Sequence, residues 1–266
     1  MTRHRKLRGR KLKSQKRIVL ASIIGLTMLF SVGYAAFSTN ITLNAKGNVK
    51  GYTVMFDAND GSVSKTSKRV KYGATYGDLP TPTREGYTFK GWHGKNLLNI
   101  TNKESEKNGL HYIVTDQTIH IYGENTKKDI AYGLFGYDTL NEELEQNKTY
   151  TFSSFGINNS NVYSQTNYWI KDLNSQASLG HVNYVNSSIV FTIPENYDRF
   201  AQVFIGIKNT ADIVDETFKI QLEEGNEPDT KWEPYYITSE TEVVQEKDHT
   251  LTAIWEENPQ TQETTN

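Results

Sequence analysis

The stretch TREGYTFKGWHGKNLLNI, Thr83 to Ile100, decides how this chain is organised. Within it, Tyr87 and Phe89 alternate with Thr88 and Lys90 up to Trp92, the period-two pattern of a half-buried strand. After His93 to Lys95 a different apolar pattern opens as Asn96-Leu-Leu-Asn-Ile100. Upstream, Tyr52, Val54 and Phe56 alternate with Thr53 and Met55 and stop at the turn formers Asp57-Ala-Asn-Asp-Gly61. Ser67 to Tyr72 reads as a second strand closed by Gly73, and Pro80 and Pro82 interrupt regular pairing before Tyr87. Three short strands carry too little apolar surface to close a core alone.

The matching positions are numerous and ordered. Phe56, Asp57, Asn59 and Gly61 form a turn signature, with Asp60 where a glycine is usual; Tyr72, Gly73, Tyr76, Gly77, Leu79 and Pro80 follow; Arg84, Gly86, Tyr87, Thr88, Phe89, Gly91 and Trp92 close the run. In these residues the chain resembles the Listeria-Bacteroides repeat, also called the internalin B-repeat. That family ends in an Ile-Thr strand and a Thr-Leu-x-Ala-x-Trp strand, which are absent after Trp92 and reappear in YITSETEVVQEKDHTLTAIW, Tyr236 to Trp255. Asp248, His249, Thr250, Leu251, Ala253 and Trp255 stand there in the expected order. The resemblance therefore implies a discontinuous, small β-grasp-like (ubiquitin-like) module, residues 51–94 plus 236–255, with its interruption at 95–235. Trp92 and Trp255 are read as packing residues, since large rings most often serve burial.

Residues 95–235 are of β-sandwich length. Strand patterns fall at His111 to Val114, Thr118 to Tyr122, Tyr150 to Phe152, Tyr168 to Ile170, Ser188 to Ile193, Ala201 to Ile207 and Thr217 to Leu222. Thr115-Asp-Gln117 reads as the hairpin turn between the first two. In the last strand Phe218, Ile220 and Leu222 are expected to face inward, with Lys219 and Gln221 on a wet face. Lys148, Thr149, Tyr150 and Thr151, then Leu222, Glu223 and Gly225, then Thr230, Trp232, Pro234 and Tyr235 resemble landmarks of carbohydrate-binding-like jelly-roll modules. The fold class expected is all-β: a β-sandwich or jelly roll inside a small β-grasp-like repeat domain, behind an N-terminal hydrophobic helix.

The formal charge of −2 conceals a division. Nine of the 29 Lys and Arg lie in residues 1–17, which contain no acid, leaving 20 basic against 31 acidic residues, a net of −11 beyond that arm. A body of that sign does not neutralise phosphates, so nucleic acid is not an expected partner. Ile18 to Phe37 carries 20 residues without a charge; with the basic arm before it, residues 1–37 read as a signal peptide or membrane anchor. Gly33 and Ala35 supply small residues for cleavage after Ala35. Residues 38–50 read as a spacer and 256–266 as a disordered tail, in which Asn258-Pro259-Gln260-Thr261 resembles a sortase motif without its usual hydrophobic sequel. The chain has no cysteine, so disulfides and thiolate zinc sites are excluded. The expected location is the cell envelope or extracellular surface.

Two functions compete: a non-catalytic binding or adhesion protein recognising a glycan or a surface protein, and a structural spacer without ligand. A sugar face needs exposed rings with amides nearby. Tyr163, Tyr168, Trp169 and Tyr184, set among Asn159, Asn161, Asn167 and Asn183, are the candidates, against the commoner outcome that alternate rings are core. Glu142/Glu143 and Glu223/Glu224 are adjacent in sequence, hence not set across a cleft as glycoside hydrolysis requires, and no enzyme is expected. His111 and His120 sit on strands that pair, where surface histidines facing each other are commoner than a metal site. No cofactor is expected; loop carboxylates could hold structural calcium, with no ligand named.

Overall fold

The computed structural model describes residues 50–259 apart from 128–129, 137–138, 141–142, 159–160, 183–186 and 208–212. The cleavage candidate Ala35, the hydrophobic run, the spacer up to residue 49, Asn159, Asn183, Tyr184, Glu142 and Gln260-Thr261 lie outside the described residues. Among the described residues there is no α-helix, and no helix long and apolar enough to cross a membrane.

Both ends of the described chain meet in one five-stranded sheet. Its members are β1 (Gly51–Asp57), β2 (Ser67–Lys71), β3 (Tyr87–His93), β14 (Tyr236–Ile237) and β15 (His249–Glu257), in the order β14-β3-β15-β1-β2. β1 runs parallel to β15, Val54 opposite His249 and Asp57 opposite Thr252, while the other pairings are antiparallel. A parallel pair cannot be joined by a tight turn; here the intervening chain makes the connection. The alternation of β1 buries Tyr52, Val54 and Phe56 beside Val70, Tyr76, Leu251 and Ala253. Trp92 is their centre, 5.2 Å from the Phe56 ring and 5.5 Å from Phe89, and its indole N–H donates to the Pro80 carbonyl at 2.8 Å. At the turn after β1, Asp60 has φ 64°, in the left-handed region where glycine costs least and Asp is tolerated. Gly61 is constrained by space, because a Cβ there would lie 2.7 Å from Trp255 Cζ2.

The segment between β3 and β14 builds two further sheets. Six strands, in the order β11-β8-β13-β6-β5-β4, comprise β4 (Lys103–Lys107), β5 (Leu110–Thr115), β6 (Thr118–Glu124), β8 (Thr149–Phe155), β11 (Ser188–Thr192) and β13 (Ile213–Glu224). Four more, in the order β10-β9-β12-β7, comprise β7 (Ile130–Gly136), β9 (Val162–Ile170), β10 (Gln176–Val182) and β12 (Tyr197–Ile207). One apolar cluster draws on both sheets, with Tyr112, Ile121, Phe152, Phe218 and Leu222 from the first and Tyr168, Phe200, Val203 and Ile205 from the second. Between β5 and β6, Asp116 and Gln117 take φ 46° and 60°, positive at both central positions as a type I′ hairpin turn requires.

Two sequence expectations need correction. Gln221 does not face water; it is fully buried, as is Glu223 nearly so. The chain after β13 doubles back over that side of the sheet: Gln221 Oε1 accepts the Glu233 N–H at 2.8 Å, the Lys219 ammonium lies 3.7 Å from the Trp232 ring centre, and the Trp232 indole donates to the Ile220 carbonyl. The tail also starts later than residue 256. Glu256 and Glu257 belong to β15 and pair with Thr88 and Tyr87, and the Asn258 N–H donates to the Gly86 carbonyl.

Candidate functional site

β9 has two unlike faces. Val162, Ser164, Thr166 and Tyr168 turn to the interior, and Tyr163, Gln165 and Trp169, with the less exposed Asn167, turn the other way. Register with β12 sets Gly206 beside Tyr163, Phe204 beside Gln165, Gln202 beside Asn167 and Arg199 beside Trp169. β10 extends the same rows with His181 at Gln165, Ser178 at Asn167 and Gln176 at Trp169. The outward face of the four-stranded sheet therefore carries the rings of Tyr163, Trp169 and Phe204 among four side-chain amides. From Tyr163 to Trp169, six residues of strand, it runs about 20 Å.

Local contacts keep the rings and amides low on this face. A Cβ on Gly206 would fall 1.9 Å from Tyr163 Cζ, so the tyrosine ring rests directly on bare backbone. Gly133 does the same for Gln202, whose Oε1 would be 2.5 Å from a Cβ, with the Phe204 ring alongside at 3.4 Å. Gln165 donates to Asn167 at 2.7 Å and Gln202 to Gln176 at 3.0 Å. The Arg199 guanidinium lies 5.6 Å from the Trp169 ring centre and pairs with Asp198 at 2.7 Å. Flat rings, amides that donate and accept, and a guanidinium are the groups that hold a hydroxyl-rich ligand.

Of the four aromatic candidates named from sequence, Tyr163 and Trp169 share this face and Tyr184 lies outside the described residues. Tyr168 does not join them. It is 6% exposed on the core side, stacks on Tyr197 and donates its hydroxyl to Asn196 at 3.0 Å. Arg199, Gln202, Phe204 and Gln176 were not singled out from sequence, although the alternation Gln202, Phe204, Gly206 against Val203, Ile205, Ile207 marks an outward row. His111 and His120 do not face each other; each stacks on Tyr122 at 4.8 Å, and His120 pairs with Asp215 at 2.9 Å. Glu143 accepts from the Tyr197 hydroxyl at 2.6 Å and the Phe200 N–H. Burial, and then the Glu143 carboxylate, push the Tyr197 phenol far above its ordinary value. No group of three or more His, Asp or Glu placed to hold a metal occurs among the described residues. A cavity of about 480 Å³ beside β15, lined by Arg84, Tyr87, Tyr235 and Trp255 among others, brings no acid–base pair together.

Comparison with known proteins places one class of module in this chain. Residues 52–120 match the family model of the Listeria-Bacteroides repeat domain, a range that takes in β1 to β3 and runs on into β6. Two proteins of Evansella cellulosilytica align over 73 residues. One, provisionally named a membrane protein, is 34% identical over 27% of this chain and 11% of its own length. The other, provisionally named a Gly-rich membrane protein, is 33% identical over 27% of this chain and 8% of its own length. The chain thus spans about a tenth of the curated relatives it matches. Among solved structures, accessory secretory proteins 1, 2 and 3 of Streptococcus pneumoniae give a TM-score of 0.31 at 12% identity, covering 59% of this chain and 98% of that one. A CBM4 structure gives 0.26 at 13%, covering 47% and 78%. A family 29 carbohydrate binding module from Piromyces equi gives 0.22 at 12%, covering 67% and 93%. None of these three reaches a TM-score of 0.5, and none bears on what this chain does.

Proposed function

We propose that this chain is a non-catalytic, surface-displayed binding protein whose 95–235 segment, a jelly roll set into a β-grasp-like repeat module, takes a glycan along the outward face of β9 and β12. The observation that carries the proposal is the ring, amide and glycine arrangement of that face, above all Tyr163 lying on Gly206 and Trp169 beside Arg199. Outward-turned rings, Tyr163 among them resting on Gly206, offer apolar surface to the C–H face of a sugar, and the four amides supply directional partners for hydroxyls. A length of about 20 Å suits several linked sugars better than one. The repeat match and the names of the Evansella relatives support display at a membrane or cell surface, as does the hydrophobic run at 18–37.

The test is a glycan-array screen of the intact protein followed by titration of the best hit. Trp169→Ala is expected to weaken binding about tenfold or more, about 1.4 kcal/mol, while leaving the thermal midpoint within a few degrees. No glycan bound by the intact protein would remove the proposal and leave a spacer without ligand. Retention of full affinity by Trp169→Ala would move the site off this face.

A further inference from the structure

The stems that lead from β3 into the 95–235 segment and back to β14 are tied by one buried carboxylate. Glu233 has no exposed surface. Its Oε2 accepts the Lys95 backbone N–H at 2.9 Å, and its carbonyl accepts from the Asn96 amide at 2.9 Å. Its Oε1 accepts from Gln245 at 2.9 Å and lies 3.5 Å from the Tyr76 hydroxyl. The Tyr76 oxygen is only 2.8 Å from His249 Nε2, and His249 Nδ1 is 2.9 Å from the Lys247 carbonyl. Tyr76, Gln245 and His249 belong to the five-stranded sheet and its connections; Glu233 comes from the stem.

The proton positions follow from the partners. A carbonyl only accepts, so Nδ1 carries a hydrogen and a neutral His249 offers Nε2 as an acceptor. Tyr76 then gives its single hydrogen to His249, which accounts for the short contact on that side and the long one to Glu233. If His249 gains a proton, Nε2 becomes a donor aimed at the Tyr76 oxygen. The tyrosine hydrogen must turn towards Glu233, and a good O–H···O bond of about 2.7 Å requires closing that gap by about 0.8 Å in a packed junction. The new charge also meets the Lys95 ammonium, held by Glu223 and Asp229, and Lys247, while Asp248 and, across Tyr76, the Glu233 carboxylate favour it. A cleft of about 260 Å³ lined by Glu223, Glu224, Glu227, Lys247 and His249 among others opens beside this junction.

We propose that Glu233, Tyr76 and His249 form a proton-sensitive latch that fixes the 95–235 segment on the five-stranded sheet and slackens when His249 is protonated. Burial lowers the His249 imidazole from its ordinary value, outweighing the Lys247 carbonyl that favours the charged form. The latched state is therefore fully supported above about pH 6.5 and loses support as pH falls below it. Burial raises the Glu233 carboxyl, against its bonds to Gln245 and the Lys95 N–H; it titrates with the opposite sign, so the His249 contribution is read as the difference between wild type and His249→Gln.

The experiment is amide hydrogen exchange on the intact chain between about pH 8 and about pH 5.5, normalised to intrinsic rates. Protection of the Lys95 and Glu233 amides is expected to fall by up to about tenfold per pH unit below about 6.5, while Ile205 in β12 keeps its protection. His249→Gln should flatten the dependence, and Tyr76→Phe should lower protection at every pH with little slope. Unchanged stem protection in wild type, or loss shared equally by Ile205, overturns the latch. In wild type alone, the His249 ring and the Lys95 amide must titrate by NMR with one midpoint; two separate midpoints overturn it as well.

Discussion

Lys95 is the cation on which the covered side of β13 depends, and Lys95→Met tests that dependence. Its ammonium reaches Glu223 at 2.7 Å and also bonds Asp229, with Glu223 only 3% exposed and Lys95 and Asp229 about a fifth exposed. Burial acts against the Lys95 charge, but the bonds to Asp229 and Glu223 outweigh it and raise the amine above its ordinary value. Burial likewise lifts the Glu223 carboxyl in spite of Lys95. Removing one partner of a buried pair costs about 3–5 kcal/mol, because the remaining charge has no counterpart. The partial exposure of Asp229 and Lys95 puts this case at the low end, about 3 kcal/mol. For a chain of this size that is roughly a 6–12 °C loss in thermal midpoint, measured by urea and thermal denaturation of the variant beside wild type. The deficit should shrink as pH is lowered, because a lone Glu223 becomes neutral and its folded pKa then lies above the unfolded one, the sense in which acid favours folding. A loss below about 1 kcal/mol at neutral pH, or a deficit that grows with acid, would refute the reasoning.

Gly206→Val is expected to drive the Tyr163 ring off the sheet, since even a Cβ would fall 1.9 Å from Cζ. The half-buried ring can swing into solvent, so stability should fall by only about 1 kcal/mol, while under the proposed function the affinity for a glycan found by the array falls at least as far as in Trp169→Ala; a titration beside a melting curve checks both. Tyr112 is fully buried with a hydroxyl that has no protein partner among the described residues, and burial, then Tyr132, push its phenol up to about 12. Tyr112→Phe should be neutral or stabilising by up to about 1 kcal/mol in urea denaturation, and a clear loss would mean that an ordered water satisfies the hydroxyl.

Much of the local structure was written in short-range pattern. Tyr52, Val54 and Phe56 occupy alternate positions and are buried together, because a strand has period two whatever lies around it. The Thr115-Asp-Gln117 turn was legible for the same reason, as its two central residues must take positive φ in a hairpin this short. The candidate face was legible only in part. Tyr163, Tyr168 and Trp169 look alike in sequence, yet one of the three faces the core, and the residues beside the other two arrive from β12 and β10 by register.

What the sequence alone determined was the strand character of the chain and the places where alternation begins and stops. Tertiary structure decided which face of each strand is covered. Gln221 alternates with Ile220 and Leu222 as a wet-face residue would, and is buried because the later segment through Trp232 and Glu233 lies over it. The Thr53 N–H finds Asp248, 195 positions away, for the same kind of reason. A period of two says that the two sides of a strand differ; which side meets solvent depends on chain that local pattern does not contain.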